Sequence, residues 1–245
     1  MSSEFVIIVP ARAGSSRLPN KPLAQIAGQS LLKRVFDLAA SSNASATYIA
    51  TDNEEILEHA KSIGAEVIMT SVNHISGMDR VAEAARLIDL SPETKILNLQ
   101  GDEPFMPLDI INTLPGHLTA TNTIVTACVP ISNPDAIANP DEVKVVRSLT
   151  KRAMYFSRSA IPYAFTASHD NYLKHLGIYA YTNQTLQELT DLEPTDNELQ
   201  EKLEQLRFLD HDYNIFVEDY ACNPPIGIDT PKDLEAAIEF IKSDG

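Results

Sequence analysis

The sequence contains no tryptophan and only two cysteines, and its 19 basic residues are outnumbered by 34 acidic ones. Two cysteines without a CxxC spacing exclude a disulfide framework and a cysteine-based zinc site, and they indicate reduced thiols in a cytoplasmic protein. The formal net charge of −15 argues against nonspecific binding to nucleic acid and against docking on an anionic membrane. A membrane anchor is not expected either, because no apolar run approaches the ~20 residues of a bilayer span.

The hydrophobic residues, 44% of the 245-residue chain, follow a pattern typical of an α/β protein. Strand-like apolar runs occupy residues 5–9, 47–50, 66–69, 95–99 and 123–129, and helical periodicity occupies residues 31–40, 54–63, 79–89 and 108–118. This alternation predicts a mostly parallel sheet with helices on both faces, within a single domain over residues 1–245. Ligands of such sheets bind beyond the carboxyl ends of the strands.

The second half of the chain departs from this alternation. Residues 143–181 contain β-like segments without long helices, which predicts a β-rich segment laid against the main sheet or against another subunit. A long polar helix is expected over residues 197–209, a strand over 214–217 and a helix from Pro231 to about residue 241. Asp52 and Thr230 are the candidate N-caps for the second and the last helix.

The loop after the first strand is the strongest local signal. The apolar run ends at Pro10, and the next residues include Gly14 and the cations Arg12, Arg17 and Lys21. Backbone amides on a glycine- and serine-containing loop together with cationic side chains suit a polyphosphate. The loop matches neither a Walker A motif nor G-x-G-x-x-G, so a solvated surface loop with incidental basic residues is the alternative.

Two acidic segments are candidates for a magnesium site. Asp102 and Glu103 follow a buried strand across a glycine turn, and Asp229 precedes the last helix. Mg²⁺ prefers one or two carboxylates together with substrate phosphates. The alternatives are a polar turn at Asp102 and simple helix capping at Asp229.

Arg158 and His175 are candidates for contacts with a second substrate. An arginine can bind a carboxylate with two parallel hydrogen bonds, and a histidine can donate to a hydroxyl or act as an acid or base. Both residues could equally be structural, with Arg158 packed on an aromatic ring and His175 satisfied inside a strand.

Taken in order, nine short motifs over residues 6–234 resemble the 3-deoxy-manno-octulosonate cytidylyltransferase family. The motifs are Pro-Ala-Arg, Ser-Arg-Leu-Pro-Asn-Lys-Pro-Leu, Ala-Thr-Asp, Ser-Gly-Met-Asp-Arg, Gln-Gly-Asp-Glu-Pro, Tyr-Phe-Ser-Arg, His-Leu-Gly-Ile-Tyr, Leu-Glu-Gln-Leu-Arg and Asp-Thr-Pro-Lys-Asp-Leu. The resemblance implies a nucleotide-diphospho-sugar transferase fold, dependence on Mg²⁺, and a homodimer formed through the β-rich segment. It implies a single catalytic domain that couples CTP to 3-deoxy-D-manno-octulosonate (Kdo) for lipopolysaccharide biosynthesis, releasing pyrophosphate.

The resemblance also assigns residues to roles. The positions that it implies for nucleotide binding are Ala11, Arg12, Gly14, Ser15, Arg17, Lys21, Ser76, Gly77, Arg80 and Asp102. The positions that it implies for the sugar are Gln100, Arg158, His175, Tyr179, Glu204 and Gln205. Asp102 and Asp229 match the metal ligands, and Arg12, Lys21, Asp102 and Asp229 form the implied catalytic set.

One position departs from the family pattern, because Met78 stands where a threonine is usual. Methionine cannot donate a hydrogen bond, which bears on selectivity for the cytosine base. The same reaction on the 8-amino analogue of Kdo or on another acidic sugar, and a noncatalytic nucleotide-binding regulator, are the alternative functions.

Overall fold

A computed structural model describes residues 4–14, 17–74, 76–165 and 171–244. The strands are β1 (Phe5–Ala11), β2 (Gln25–Ile26), β3 (Gln29–Ser30), β4 (Ala46–Thr51), β5 (Glu66–Met69), β6 (Lys95–Asn98), β7 (Ile124–Ile131), β8 (Lys144–Arg147), β9 (Ala153–Ser157), β10 (Tyr172–Thr182) and β11 (Ile215–Asp219). The α-helices are α1 (Leu31–Ala40), α2 (Glu54–Ser62), α3 (Gly77–Leu87), α4 (Leu108–Thr113), α5 (Pro134–Ala138), α6 (Asn183–Thr190), α7 (Asp196–Glu201), α8 (Gln205–Asp210) and α9 (Pro231–Asp244).

Nine strands of the described chain form one sheet, whose main path runs β11-β7-β10-β6-β1-β4-β5. Along this path only β10 runs against the others, because it pairs antiparallel with both β6 and β7. The strands β6, β1, β4 and β5 are parallel neighbours, so their carboxyl ends meet at one edge. The predicted α/β fold with a mostly parallel sheet is therefore confirmed.

Strand β1 shows why the sheet is covered on both faces. Successive side chains of a strand point to opposite faces, and every residue from Phe5 to Val9 is buried. Ile7 and Val9 pack into one hydrophobic core with residues of α1, α2, α4 and α9, whereas Ile8 packs into a second core with residues of α3, α6 and α8.

The predicted β-rich segment is confirmed in outline. Strands β8 and β9 pair antiparallel, and β8 also pairs with β10, which extends the sheet beyond its main path. The last part of the predicted segment is the long strand β10.

Several predicted helix boundaries were wrong. The expected helix over residues 197–209 is two short helices, because Lys202 adopts a left-handed conformation with φ of 55° and ends α7. The expected helix over residues 108–118 ends at Thr113, and a 3₁₀ turn with Pro115 near its start follows it. The N-cap of α2 is Asn53 rather than Asp52, since the Asn53 side chain accepts the backbone N–H of Ile56.

No helix among the described residues has both the length and the apolar character that a bilayer span requires.

Candidate active site

The site lies at the sheet edge where β1 and β6 end. Lys21 follows the loop after β1, Asp102 lies in the turn after β6, and Asp229 lies just before α9. The Lys21 ammonium donates to Asp102 Oδ2 at 2.7 Å and to Asp229 Oδ1 at 2.9 Å. Arg17 adds an ion pair with the other carboxylate oxygen of Asp229, at 3.0 Å. Two carboxylates from distant parts of the chain thus meet around one ammonium group.

These contacts favour the charged forms of Lys21 and Asp229. Burial opposes the charge of Lys21, but Asp102 and Asp229 outweigh that effect and raise the pKa of the ammonium. Burial likewise opposes ionisation of Asp229, but Lys21 and Arg17 outweigh it and lower the pKa of this carboxyl. At neutral pH the cluster therefore holds a charged Lys21 ammonium beside the ionised carboxylate of Asp229.

A cleft of about 270 Å³ opens beside this cluster. It is bounded by the loop after β1, the start of α3 and the turn after β6. The residues lining it are Pro10, Ala11, Arg12, Gly14, Arg17, Lys21, Pro22, Ser76, Gly77, Arg80, Gln100, Gly101, Asp102 and Asp229. All the residues assigned to the nucleotide line this cleft except Ser15, which lies outside the described residues.

The wall formed by α3 is fixed by hydrogen bonds. Ser76 caps the helix by accepting the N–H of Asp79 at 3.1 Å, and the Asp79 carboxylate accepts the N–H of Ser76 at 3.2 Å, which completes a capping box. The guanidinium of Arg80 donates to Asp52 at 2.6 Å and to Thr70 Oγ1 at 2.5 Å, and its side chain is almost fully buried. The buried hydrogen bonds of Arg80 therefore fix the position of α3 at the cleft wall.

Met78 does not line the cleft. Its side chain is 4% exposed and packs in the core between the sheet and α3, beside Val81. The methionine at this position therefore contributes to core packing, and the cleft wall beside it is made by Ser76, Gly77 and Arg80.

The turn after β6 approaches the end of β1 closely. A Cβ atom added to Gly101 would lie 2.7 Å from the carbonyl oxygen of Pro10. Because Gly101 has no side chain, the turn can approach the end of β1, which places Gln100 and Asp102 beside the start of the cationic loop.

A second cleft of about 770 Å³ adjoins the first and shares Arg17, Gln100 and Asp229 with it. All six residues assigned to the sugar line this second cleft, which we call the acceptor cleft: Gln100, Arg158, His175, Tyr179, Glu204 and Gln205. The structure therefore gathers the sequence-predicted residues into two adjoining clefts with Asp229 on their common border.

Within the acceptor cleft, Arg158 and His175 make structural contacts. Arg158 donates through Nε to the Glu201 carbonyl at 2.7 Å, and its two other nitrogens donate to the carbonyls of Pro140 and Lys202. Burial lowers the pKa of His175 to about 3, and its Nε2 lies 3.0 Å from Thr126 Oγ1. His175 is therefore neutral at physiological pH.

Glu103 and Glu204 place carboxyl groups in less polar surroundings than Asp102 and Asp229. Burial raises the pKa of Glu103 to about 8 and that of Glu204 to about 7. Glu103 Oε2 and Glu204 Oε1 are buried oxygens without a hydrogen-bond partner in the described chain. Glu103 belongs to one of the two acidic segments that the sequence suggests for magnesium, and the structure shows that its carboxyl group is buried.

Comparison with known proteins shows the family to which the chain belongs. The cytidylyltransferase family model matches residues 6–215. A 3-deoxy-manno-octulosonate cytidylyltransferase of Polynucleobacter necessarius subsp. necessarius (strain STIR1) is 43% identical over 243 residues, covering 97% of this chain and 96% of the relative. The chain belongs to the 3-deoxy-manno-octulosonate cytidylyltransferase family.

Further members of the 3-deoxy-manno-octulosonate cytidylyltransferase family agree with this assignment. The protein of that name from Haemophilus influenzae (strain PittEE) is 42% identical over 252 residues, covering 98% of this chain and 99% of the relative. A solved structure of CMP:2-keto-3-deoxy-manno-octonic acid synthetase complexed with CTP superposes with a TM-score of 0.92 at 37% identity, covering 99% of this chain and 100% of the other. The predicted family and its nucleotidyltransferase activity are therefore confirmed.

The carboxylate oxygens of Asp102 and Asp229 suit the magnesium ion that the resemblance to 3-deoxy-manno-octulosonate cytidylyltransferases implies. Asp102 and Asp229 already share a cation, Lys21, and both offer the hard oxygen ligands that Mg²⁺ takes. The described residues contain no group of three histidine, cysteine or acidic side chains arranged to hold a metal on their own. A magnesium ion here would therefore complete its coordination with phosphate oxygens and water.

Proposed function

We propose that this protein transfers CMP from CTP to Kdo and releases pyrophosphate, for lipopolysaccharide biosynthesis. The observation that carries the proposal is the meeting of two clefts at Arg17, Gln100 and Asp229, where Asp229 shares the Lys21 ammonium with Asp102. A nucleotide in the smaller cleft and a sugar acid in the larger one would meet at this cluster. A purely regulatory nucleotide-binding module has no need for the second cleft.

The reaction is an in-line substitution at phosphorus. The anomeric hydroxyl of the sugar forms a bond to the α-phosphorus, the bond from that phosphorus to the bridging oxygen of pyrophosphate breaks, and the hydroxyl proton is released. The chain forms no covalent intermediate, because positioning and electrostatic stabilisation suffice for this class of reaction.

The cationic side chains stabilise the negative charge of the leaving group. Negative charge grows on the departing pyrophosphate, and Lys21 and Arg17 lie at the site with Arg12 on the same loop. Preorganised cations at the position of developing charge lower the barrier. Lys21 would have to shift from its carboxylate partners towards the triphosphate, and charge-assisted bonds to phosphate make that exchange favourable.

Asp102 and Asp229 would hold the magnesium ion. When bound, this ion polarises the α-phosphate and lowers the pKa of the attacking hydroxyl. The two carboxylates belong to the turn after β6 and to the segment before α9, so the distance between them depends on how these two segments pack. A hydrogen bond from the Ile228 N–H to the Asp102 carbonyl, at 2.9 Å, joins the two segments.

Pyrophosphate release tests the proposal directly. With CTP, Kdo and Mg²⁺ we expect turnover, and we expect Asp102→Asn and Asp229→Asn each to lower kcat by at least about 100-fold, since each removes charge from the catalytic centre. Asp37→Asn, which alters a surface ion pair of α1 with Lys33, is the matched control and should retain full activity. Absence of pyrophosphate with Kdo would refute the proposal, and turnover only with the 8-amino analogue or another acidic sugar would reassign the acceptor.

We further propose that the protein is a cytoplasmic homodimer that associates through the β-rich segment. Large apolar side chains of this segment are exposed in the single chain, including Leu149, Met154, Tyr163 and Phe165. Several large exposed apolar side chains within one segment of the chain favour an interface there. Light scattering should give the mass of a dimer, and Met154→Glu should shift it to a monomer, whereas Val72→Glu, at an exposed apolar residue outside this segment, should not. A wild-type monomer would refute this part of the proposal.

A further inference from the structure

The acceptor cleft has little net positive charge for a site that takes a sugar acid. Six acidic residues line it, and five basic ones do. The acidic residues are Glu103, Asp141, Glu142, Glu204, Asp229 and Asp233, and the basic residues are Arg17, Arg158, Lys174, Lys202 and Lys232. An incoming carboxylate therefore gains little from the overall charge of the cleft and needs a specific cation to bind it.

Two of the five cations are committed to other groups. Arg17 is paired with Asp229, at the border with the nucleotide cleft. Arg158 directs three of its nitrogens at backbone carbonyls, which anchors the cleft wall and limits how its planar guanidinium can turn towards a ligand. Two others, Lys202 and Lys232, have exposed side chains at the rim, where solvent weakens their attraction for an anion.

Lys174 differs from these four. It lies on β10 directly before His175, and its side chain is only 17% exposed. Its ammonium forms an ion pair with Glu142 across the cleft wall. An ammonium group has three N–H donors, so Lys174 can retain Glu142 and still bind a second anion.

The electrostatic effect of Lys174 extends into the cleft. Burial, together with the positive charge of Lys174, lowers the pKa of His175. His175 lines the acceptor cleft. The ammonium therefore acts on the interior of the cleft, and the low exposure of its side chain limits screening by water.

We propose that Lys174 binds the carboxylate of the acceptor sugar and that Glu142 holds its ammonium in place. This inference rests on the proposed function, because it assumes that the acceptor is a sugar acid. Sequence reasoning missed Lys174, since a lone lysine beside His175 has no motif-like spacing.

The test compares the acid substrate with its neutral carboxamide analogue. In the wild type, the acid should have a kcat/KM about 10- to 100-fold above that of the amide, as expected for a hydrogen bond between charged groups. Lys174→Met should raise the KM for the acid by that factor, leave the KM for CTP within about twofold, and reduce the preference for the acid over the amide to near unity. Lys174→Arg should restore most of the preference, because it restores the charge.

Lys33→Met is the matched control, since it removes a lysine from a surface ion pair on α1 and should leave the preference unchanged. If Lys174→Met does not fold, Lys174→Gln, with a polar side chain of similar length, provides the same comparison. A variant that folds and keeps the full preference for the acid would overturn the inference. Failure of the wild type to use the acid at all would instead refute the proposed function, so the two failures are distinguishable.

Discussion

Replacing Gly101 by alanine should damage both the fold and the catalytic geometry. The added Cβ would lie 2.7 Å from the carbonyl oxygen of Pro10 and 3.8 Å from Val9 Cγ1. The carbonyl belongs to the backbone of β1, a central strand held by parallel neighbours on both sides. The oxygen therefore cannot move away cheaply, and the turn that contains Asp102 must shift by at least about 0.3 Å to bring the contact above 3.0 Å.

The size of the effect follows from this clash. Forcing an extra carbon into a well-packed site costs about 1–3 kcal/mol, which corresponds to a fall in Tm of about 2–12 °C for a chain of this length. The same shift displaces Asp102 relative to Lys21 and Asp229. Since a 1 Å misplacement can cost about 100-fold in rate, a shift of about 0.3 Å should lower kcat by at least about fourfold.

Thermal unfolding and pyrophosphate release measure the two effects separately. Gly177→Ala is the stability control, because a Cβ at Gly177 would meet no atom within 4 Å, and it should leave Tm unchanged or slightly higher. If Gly101→Ala matched the wild type in both Tm and kcat, the turn after β6 would be free to relax, and the argument from close backbone approach would be refuted.

Two further predictions concern the cleft walls. Ser76→Ala and Asn53→Ala each remove a helix N-cap and should each lower the free energy of unfolding by about 1 kcal/mol in urea. Only Ser76→Ala should also raise the KM for CTP, and an equal rise with Asn53→Ala would contradict the placement of Ser76. The pKa of His175 in the folded chain is about 3, below its ordinary value of 6.5. Between these two values the unfolded chain binds a proton at His175 that the folded chain does not. The free energy of unfolding should therefore fall as the pH drops from about 6.5 towards 3. His175→Gln should flatten this pH dependence in urea unfolding, and an unchanged slope would count against a buried neutral imidazole.

The sequence by itself determined the features that depend on local pattern. The apolar run before Pro10 predicted β1, and alternating strands and helices predicted the α/β sheet. The ordered motifs predicted the family, because each is a short contiguous stretch whose residue types are visible without a structure. Local pattern also placed Arg12, Lys21 and Asp102 at the ends of strands, where the sheet brings them to one edge.

Only the tertiary structure decided which of these residues meet and what each side chain contacts. Lys21 and Asp229 are 208 positions apart, and their hydrogen bond depends on how α9 packs against the sheet. The sequence pattern relates Met78 to selectivity for the cytosine base, yet the structure packs its side chain into the core. The split between α7 and α8, set by the left-handed conformation of Lys202, leaves no trace in helical periodicity. Sequence pattern records local conformational preference and burial, whereas contacts across the chain arise from the packing of whole elements, and that packing is what builds the two clefts.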